Sequence, residues 1–333
     1  MYWIEFIISA VVIVLAGIRL TVYADKLCEQ LSLGKVWIGI VLLGIVTSLP
    51  EAITCIVSIV SLKANNLAIG NLVGSNNFNP MLLVMMDLFY RKGAITNDIA
   101  PNRSHNLSAL FAEILSLIVI FEIYYSSRNS LIMIGPISAG SGVILILYFI
   151  FMRFLAGVNS TENPVGVVDK ALSVDHKNHL IKIWINLVLC ALVVVIGAIW
   201  LAKSSDVIAE KSGLGRTFVG STLLAMVTSL PEMVVSLSAM RLGSLDLAIG
   251  NIFGSNMTNL FILAICDVVY PAAGVLQTVS SVHAVTLSAS VVLMGSIILG
   301  MHMRKRKILF MGWDSWLMTA IFLSVTGFLY AVR

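Results

Sequence analysis

Thr47-Ser48-Leu49-Pro50-Glu51 and Thr228-Ser229-Leu230-Pro231-Glu232 are the same five residues written once in each half of a 333-residue chain, each ending on a glutamate within an apolar stretch. A second matched block follows each: Leu67-Ala68-Ile69-Gly70-Asn71-x-x-Gly74-Ser75-Asn76-x-x-Asn79 returns as Leu247-Ala248-Ile249-Gly250-Asn251-x-x-Gly254-Ser255-Asn256-x-x-Asn259. Residues 25–51 and 206–232 agree at 13 of 27 positions at an offset of 181, and residues 66–79 and 246–259 at 9 of 14 at an offset of 180. Chance does not produce that density of identities, so the chain is an internal duplication. Its repeated carboxylates lie where burial is costly, and the economical use of such groups is to hold a cation.

The medium follows from composition. Hydrophobic residues make up 59% of the chain and charged residues 11%, with a mean hydropathy of +0.98; soluble domains carry roughly 25% charged residues. Apolar runs able to span about 30 Å of hydrocarbon as helices fall near residues 3–22, 36–61, 66–90, 107–126 and 131–154, then 181–202, 217–240, 246–270, 281–302 and 308–331. The expectation is an all-α integral membrane protein of ten spans, five per half. The first unit is 1–156, with its repeated region at about 38–90; the second is 181–333, with its repeated region at about 218–270; residues 157–180 link them. Five spans separate equivalent points. Because five is odd, the second copy enters from the opposite side, giving inverted-topology repeats.

The net charge of +4 is scattered through loops instead of forming the stripe a nucleic-acid partner requires. With the N-terminus outside, 14 of the 21 basic residues fall on the inner side and 6 on the outer. Arg19 lies near the inner end of the first span and can snorkel. This bias places both termini outside and the central linker in the cytoplasm. The first apolar run lacks a basic leader and a small-residue cleavage site, and reads as a retained helix.

In a helix, Thr47 and Ser48 precede Glu51 by four and three positions and share its face; Thr228, Ser229 and Glu232 repeat the arrangement. Pro50 and Pro231 have no N–H to offer the carbonyls of Val46 and Val227, and are expected to kink their helices. A bare carbonyl at membrane depth must face water, protein or an ion. In the second block, Gly70, Gly74, Gly250 and Gly254 permit close backbone approach. Ser75 with Asn79, and Ser255 with Asn259, present hydroxyl and amide oxygens on one face. All these donors are hard oxygens, suited to sodium or calcium and not to the metals that prefer imidazole and thiolate. Apart from Arg19, no basic residue lies well inside a span, so a cation or protons must offset Glu51 and Glu232.

Other polar residues read as structural. Asp87 and Asp267 correspond across the repeat, with Tyr90 and Tyr270 three residues on, and suit capping or interfacial anchoring. Glu113 and Glu122 have no evident counterpart, and His283 stands as a lone histidine near a helix start. Cys28, Cys55, Cys190 and Cys266 match no zinc or disulfide framework and read as packing residues. No histidine base stands beside the hydroxyls and there is no phosphate-binding loop, so the chain is not expected to be an enzyme, nor to need a cofactor.

The paired Thr-Ser-Leu-Pro-Glu and Gly-Asn-x-x-Gly-Ser-Asn elements resemble the two α-repeats of the cation/calcium exchanger superfamily, specifically its sodium/calcium exchanger branch. The resemblance implies that Glu51 and Glu232 are the principal calcium ligands. Thr47, Ser48, Ser75 and Asn79, with Thr228, Ser229 and Ser255, complete sodium and calcium sites, and backbone carbonyls around Gly44 and Ala225 assist sodium. Many members of that branch carry aspartate where this chain has Asn259, which makes this site more symmetric. The implied activity is alternating-access exchange of sodium for calcium, with three sodium ions per calcium, in a prokaryotic plasma membrane. The implied partners are the two ions and the lipid bilayer. A calcium/proton antiporter, a potassium-dependent exchanger and a passive cation channel are the alternatives.

Overall fold

The computed structural model describes residues 2–31, 43–90, 92–99, 103–162, 174–270, 274–303 and 307–333. Lys35 and the start of the second expected span, Arg91, residues 304–306 and the middle of the linker lie outside the described residues. The first half comprises α1 (Tyr2–Leu31), α2 (Gly44–Thr47), α3 (Leu49–Val60), α4 (Asn65–Phe89), the short α5 (Ile95–Asp98), α6 (Arg103–Ser126), a hairpin of β1 (Met133–Ile134) and β2 (Ile137–Ser138), and α7 (Ala139–Glu162). The second comprises α8 (Val174–Lys211), α9 (Gly215–Thr228), α10 (Leu230–Arg241), α11 (Leu245–Val269), a 3-10 turn at Val275–Thr278, α12 (Val282–Met303) and α13 (Trp313–Ala331).

Among the described residues, seven helices are each long and apolar enough to cross a bilayer, and the bent α9–α10 pair makes an eighth. The all-helical membrane class is therefore observed. The expected count of ten requires α2–α3 and α4 to be spans as well. The 25-residue α4 has the length, but its six asparagines dilute its apolar character, while α3 has 12 residues. Two boundaries differ from expectation. The fifth expected span, 131–154, opens as the β1–β2 hairpin, and helix begins only at Ala139. The linker is shorter than 157–180, because α7 runs on to Glu162 and α8 begins at Val174.

Burial separates centre from rim. The apolar stretch of α11 is 78% buried, whereas those of α1 and α8 are each 28% buried. Helices α1 and α8 pack along each other and turn Ile4, Ile7, Val11 and Leu15, with Trp184, Val188, Leu192 and Ile196, outward, as lipid-facing helices do. Helices α4 and α11 cross at the centre, and each enters from a turn with positive φ at a corresponding position, Lys63 (54°) and Gly243 (75°). Glycine adopts that backbone without cost; lysine does not.

The duplication is legible in side-chain pairs. His105 on α6 meets Asp246 at the start of α11 with Nε2 2.9 Å from Oδ1, and His283 on α12 meets Asn66 at the start of α4 with the same atoms 3.2 Å apart. Asp246 and Asn66 correspond at the offset of 180, so His283 is not the lone histidine expected. It is half of a matched pair of helix ties. Asp87 Oδ1 accepts from the Ile95 N–H (2.8 Å) and Asp267 Oδ1 from the Val275 N–H (2.6 Å). Their other oxygens accept from Gly312 N–H (2.6 Å) and Ser138 N–H (2.8 Å). Both aspartates cap loops, as expected. Glu122 accepts from the Gly140 N–H (2.8 Å) and the Ser138 hydroxyl (3.0 Å). In the other half the carboxylate has changed helix: Asp314 of α13 presses against Gly300 of α12, where a β-carbon would stand 2.3 Å from Asp314 Oδ2.

Candidate cation site

Both helices that carry the repeated glutamates are broken, not merely kinked. Ser48 (φ −82°, ψ 8°) separates α2 from α3, and Ser229 (φ −86°, ψ 6°) separates α9 from α10. Pro50 and Pro231 sit in the first turn of the helix after each break, where a missing N–H costs least. In the second half the two segments meet at 42°. The gap left by each proline is thereby resolved by ending one helix and starting another, which places Glu51 and Glu232 in first turns, near N–H groups and the positive end of the helix.

Glu51 and Glu232 are both fully buried. Glu51 Oε1 accepts from Ser75 Oγ of its own half (3.3 Å) and from Ser229 Oγ of the other (3.1 Å). Glu232 Oε1 accepts from Ser255 Oγ of its own half (3.4 Å) and from Ser48 Oγ of the other (3.3 Å). Each carboxylate is thus held by one serine from each repeat. The threonines also reach across: Thr228 Oγ1 donates to Asn71 Oδ1 (3.0 Å), while Thr47 Oγ1 lies 3.4 Å from Asn251 Oδ1 and 3.3 Å from Ser255 Oγ. The Ala225 carbonyl accepts from Ser75 Oγ (3.4 Å) and Thr228 Oγ1 (3.3 Å). Its counterpart Gly44 lies against the backbone of Gly254, where a β-carbon would come within 2.8 Å.

Four asparagines close one wall. Asn76 Nδ2 donates to the Asn256 carbonyl (3.3 Å) and Asn256 Nδ2 to the Asn76 carbonyl (3.2 Å). Asn79 Nδ2 donates to Asn256 Oδ1 (2.9 Å) and Asn259 Nδ2 to Asn76 Oδ1 (3.0 Å). With the amides so engaged, Asn79 Oδ1 and Asn259 Oδ1 are left buried and without a hydrogen-bond partner, as are Glu51 Oε2 and Glu232 Oε2. Four unpartnered acceptors, two of them carboxylate oxygens, are costly to bury unless something positive sits among them. Among the described residues neither glutamate forms an ion pair with a basic side chain, and no group of three or more His, Cys, Asp or Glu suggests a transition-metal centre.

The structure brings together the side chains of Thr47, Ser48, Glu51, Ser75, Thr228, Ser229, Glu232 and Ser255 and the Ala225 carbonyl, with Asn79 and Asn259 in the asparagine cross one turn beyond Ser75 and Ser255 and Gly44 packed against Gly254. Asn71, Asn251, Asn76 and Asn256 were not singled out. Their duplication within the matched blocks was the available signal, since each occurs at the same register in both copies.

A membrane helix bundle with a duplicated, oxygen-lined, carboxylate-bearing centre defines a class: the cation transporters built from paired repeats. The chain belongs to the sodium/calcium exchanger protein family, whose model matches residues 1–157 and 182–331. It is 27% identical over 307 residues, 85% of this chain and 87% of the relative, to the sodium/calcium exchanger MaX1 of Methanosarcina acetivorans. It is 24% identical over 264 residues, covering 77% and 76% of the two chains, to the inner membrane protein YrbG of Escherichia coli. Its fold matches that of the sodium-calcium exchanger NCX_Mj, in a structure soaked with sodium and strontium, at a TM-score of 0.64 and 20% identity, covering 98% of this chain and 97% of the other.

Proposed function

We propose that this protein is a secondary active antiporter that exchanges sodium for calcium by alternating access. The observation that supports it most is the set of four buried, unpartnered oxygens of Glu51, Glu232, Asn79 and Asn259 in a centre with no basic counter-charge among the described residues. Calcium is coordinated by Glu51 and Glu232 with neutral oxygens from Thr47, Ser48, Ser75, Asn79, Thr228, Ser229, Ser255 and Asn259, and the carbonyls around Gly44 and Ala225 assist sodium. The two ions compete for the same carboxylates, so occupation by one excludes the other. A loaded centre loses most of its charge and can cross between outward-open and inward-open states. Two ionised glutamates balance one calcium or two sodium ions; a third sodium makes each cycle electrogenic.

The exposed rim position of α1 and α8 suits a pair that slides across a fixed core. The arrangement is ten spans in two inverted repeats, with both termini outside, the linker in the cytoplasm and the protein in a prokaryotic plasma membrane. No cofactor is required, because the ions are the substrates.

The test is radiolabelled calcium uptake into proteoliposomes with outward gradients of sodium, potassium or protons, alongside Glu51→Gln and Glu232→Gln. Uptake that requires internal sodium and is lost in both variants is the expected result. Proton-driven uptake would move the chain to calcium/proton exchange, a potassium requirement to the potassium-dependent exchangers, and uptake without a counter-gradient would make it a channel.

A further inference from the structure

Cys55 on α3 and Cys266 on α11 are both fully buried free thiols, and their Sγ atoms lie 2.7 Å apart across the boundary between the halves. Around them the polar contacts come in duplicate, but this one does not. At the repeat offsets the counterparts of Cys55 and Cys266 are Ser236 and Met86, both also buried. Serine and methionine therefore satisfy the packing at those depths in the other half, and two facing thiols are not needed merely to fill space.

We propose that Cys55 and Cys266 are an oxidisable dithiol that closes to a disulfide between the two halves and restrains the transport cycle. Cys55 stands one turn after Glu51 on the same helix, and α11 carries Ser255 and Asn259. A covalent bond would tie the helix that holds one carboxylate to the helix that builds the opposite wall, so that the centre can no longer adjust as its cation leaves.

The oxidant is a small, uncharged peroxide. One thiolate sulfur attacks the O–O bond, giving a sulfenic acid and, with a proton, one water; the second thiol displaces the remaining oxygen as a second water and forms the S–S bond. Two sulfurs lose two electrons, the peroxide oxygens gain two, and both thiol protons leave in water.

The bond does not depend on the transport reading; the restraint on exchange does. The experiment treats the full-length protein in proteoliposomes with hydrogen peroxide, quenches with catalase, and counts alkylatable thiols by intact mass in a Cys28→Ser/Cys190→Ser background. The expected result is loss of two alkylatable thiols, a cross-link between the peptides bearing Cys55 and Cys266, and exchange slowed about tenfold, a size usual for coupling between sites. A permeant phosphine should restore both. Cys55→Ser and Cys266→Met, each taking the residue found in the other half, should retain basal exchange and lose the sensitivity; using two variants covers the case in which one folds poorly. Retention of both thiols after peroxide would overturn the proposal, and a formed bond with unchanged exchange would overturn the restraint. If untreated protein shows no exchange, the thiol count still decides the bond and the failure belongs to the transport reading.

Discussion

Asn259 is where this chain departs from the aspartate common in the exchanger branch it resembles, and its surroundings say what the amide does. Its Nδ2 donates to Asn76 Oδ1 at 3.0 Å, mirrored by Asn79 on Asn256 at 2.9 Å. An ionised aspartate in its place would turn an oxygen toward the Asn76 oxygen and forfeit about 1–3 kcal/mol, whereas a protonated one would keep the bond through its O–H. Asparagine therefore stands in for the neutral acid, and Asn259→Asp should leave the sodium-to-calcium ratio unchanged when measured from the reversal potential. A ratio and a pH profile that change together would show that the carboxylate titrates during the cycle and that the native asparagine lacks a group the reaction uses. Most of the site was legible at this scale because both copies spell it: glutamates, hydroxyls and small residues recur at helical spacing. The asparagine cross was not, since which amide atom faces which neighbour is fixed only when α4 and α11 meet.

At the scale of the element, the prolines announced an irregularity but not its form. A lone proline in an apolar run reads as a kink; the structure ends one helix at Ser48 or Ser229 and begins another, because a new N-terminus accommodates both the proline and the carboxylate. A π-helical turn at Gly220–Leu224 in α9 had no sequence signal beyond its glycine, and it is what seats α9 against α4. A β-carbon on Gly74 would stand 2.5 Å from the Ser221 carbonyl oxygen, and one on Gly220 would stand 2.6 Å from the Leu67 carbonyl oxygen. Both are backbone atoms that cannot turn aside. Gly74→Ala must therefore push α9 away from α4, moving the Ala225 carbonyl off Ser75 and Ser229 off Glu51. The expected outcome is a protein that still folds, judged by a monodisperse gel-filtration peak in detergent, but exchanges at least about tenfold more slowly, overpacking of this kind costing roughly 1–3 kcal/mol. Wild-type exchange in this variant would mean that the two helices separate without disturbing the centre.

For the whole molecule, seven of the described helices and an eighth bent pair are long and apolar enough to cross a bilayer, because α3 has only 12 residues and α4 is diluted by polar side chains. The central α4 carries six asparagines, and five of them, Asn65, Asn66, Asn71, Asn76 and Asn79, bond across to the other half, so a window average passes over a helix at the centre of the site. The repeat, in contrast, was visible at once, and the paired ties of His105 with Asp246 and His283 with Asn66 show it surviving in three dimensions even where one residue of a pair has changed. Orientation remains to be read from charge. In the proposed ten-span arrangement the termini share a side, and the 14-to-6 excess of basic residues predicts that this side is outside. In that proposed orientation the histidine ties would face opposite compartments, His105–Asp246 the cytoplasm and His283–Asn66 the exterior. Alkaline phosphatase fused after Arg333 should be active and a fluorescent protein at the same point dark, while a fluorescent protein inserted between Val165 and Gly166 should glow. A bright C-terminal fusion would make the span count odd or reverse the orientation. Combining it with the linker insertion separates those outcomes: two bright reporters mean an even number of crossings between them instead of five, whereas one bright and one dark in the reverse sense mean that the whole bundle is inverted.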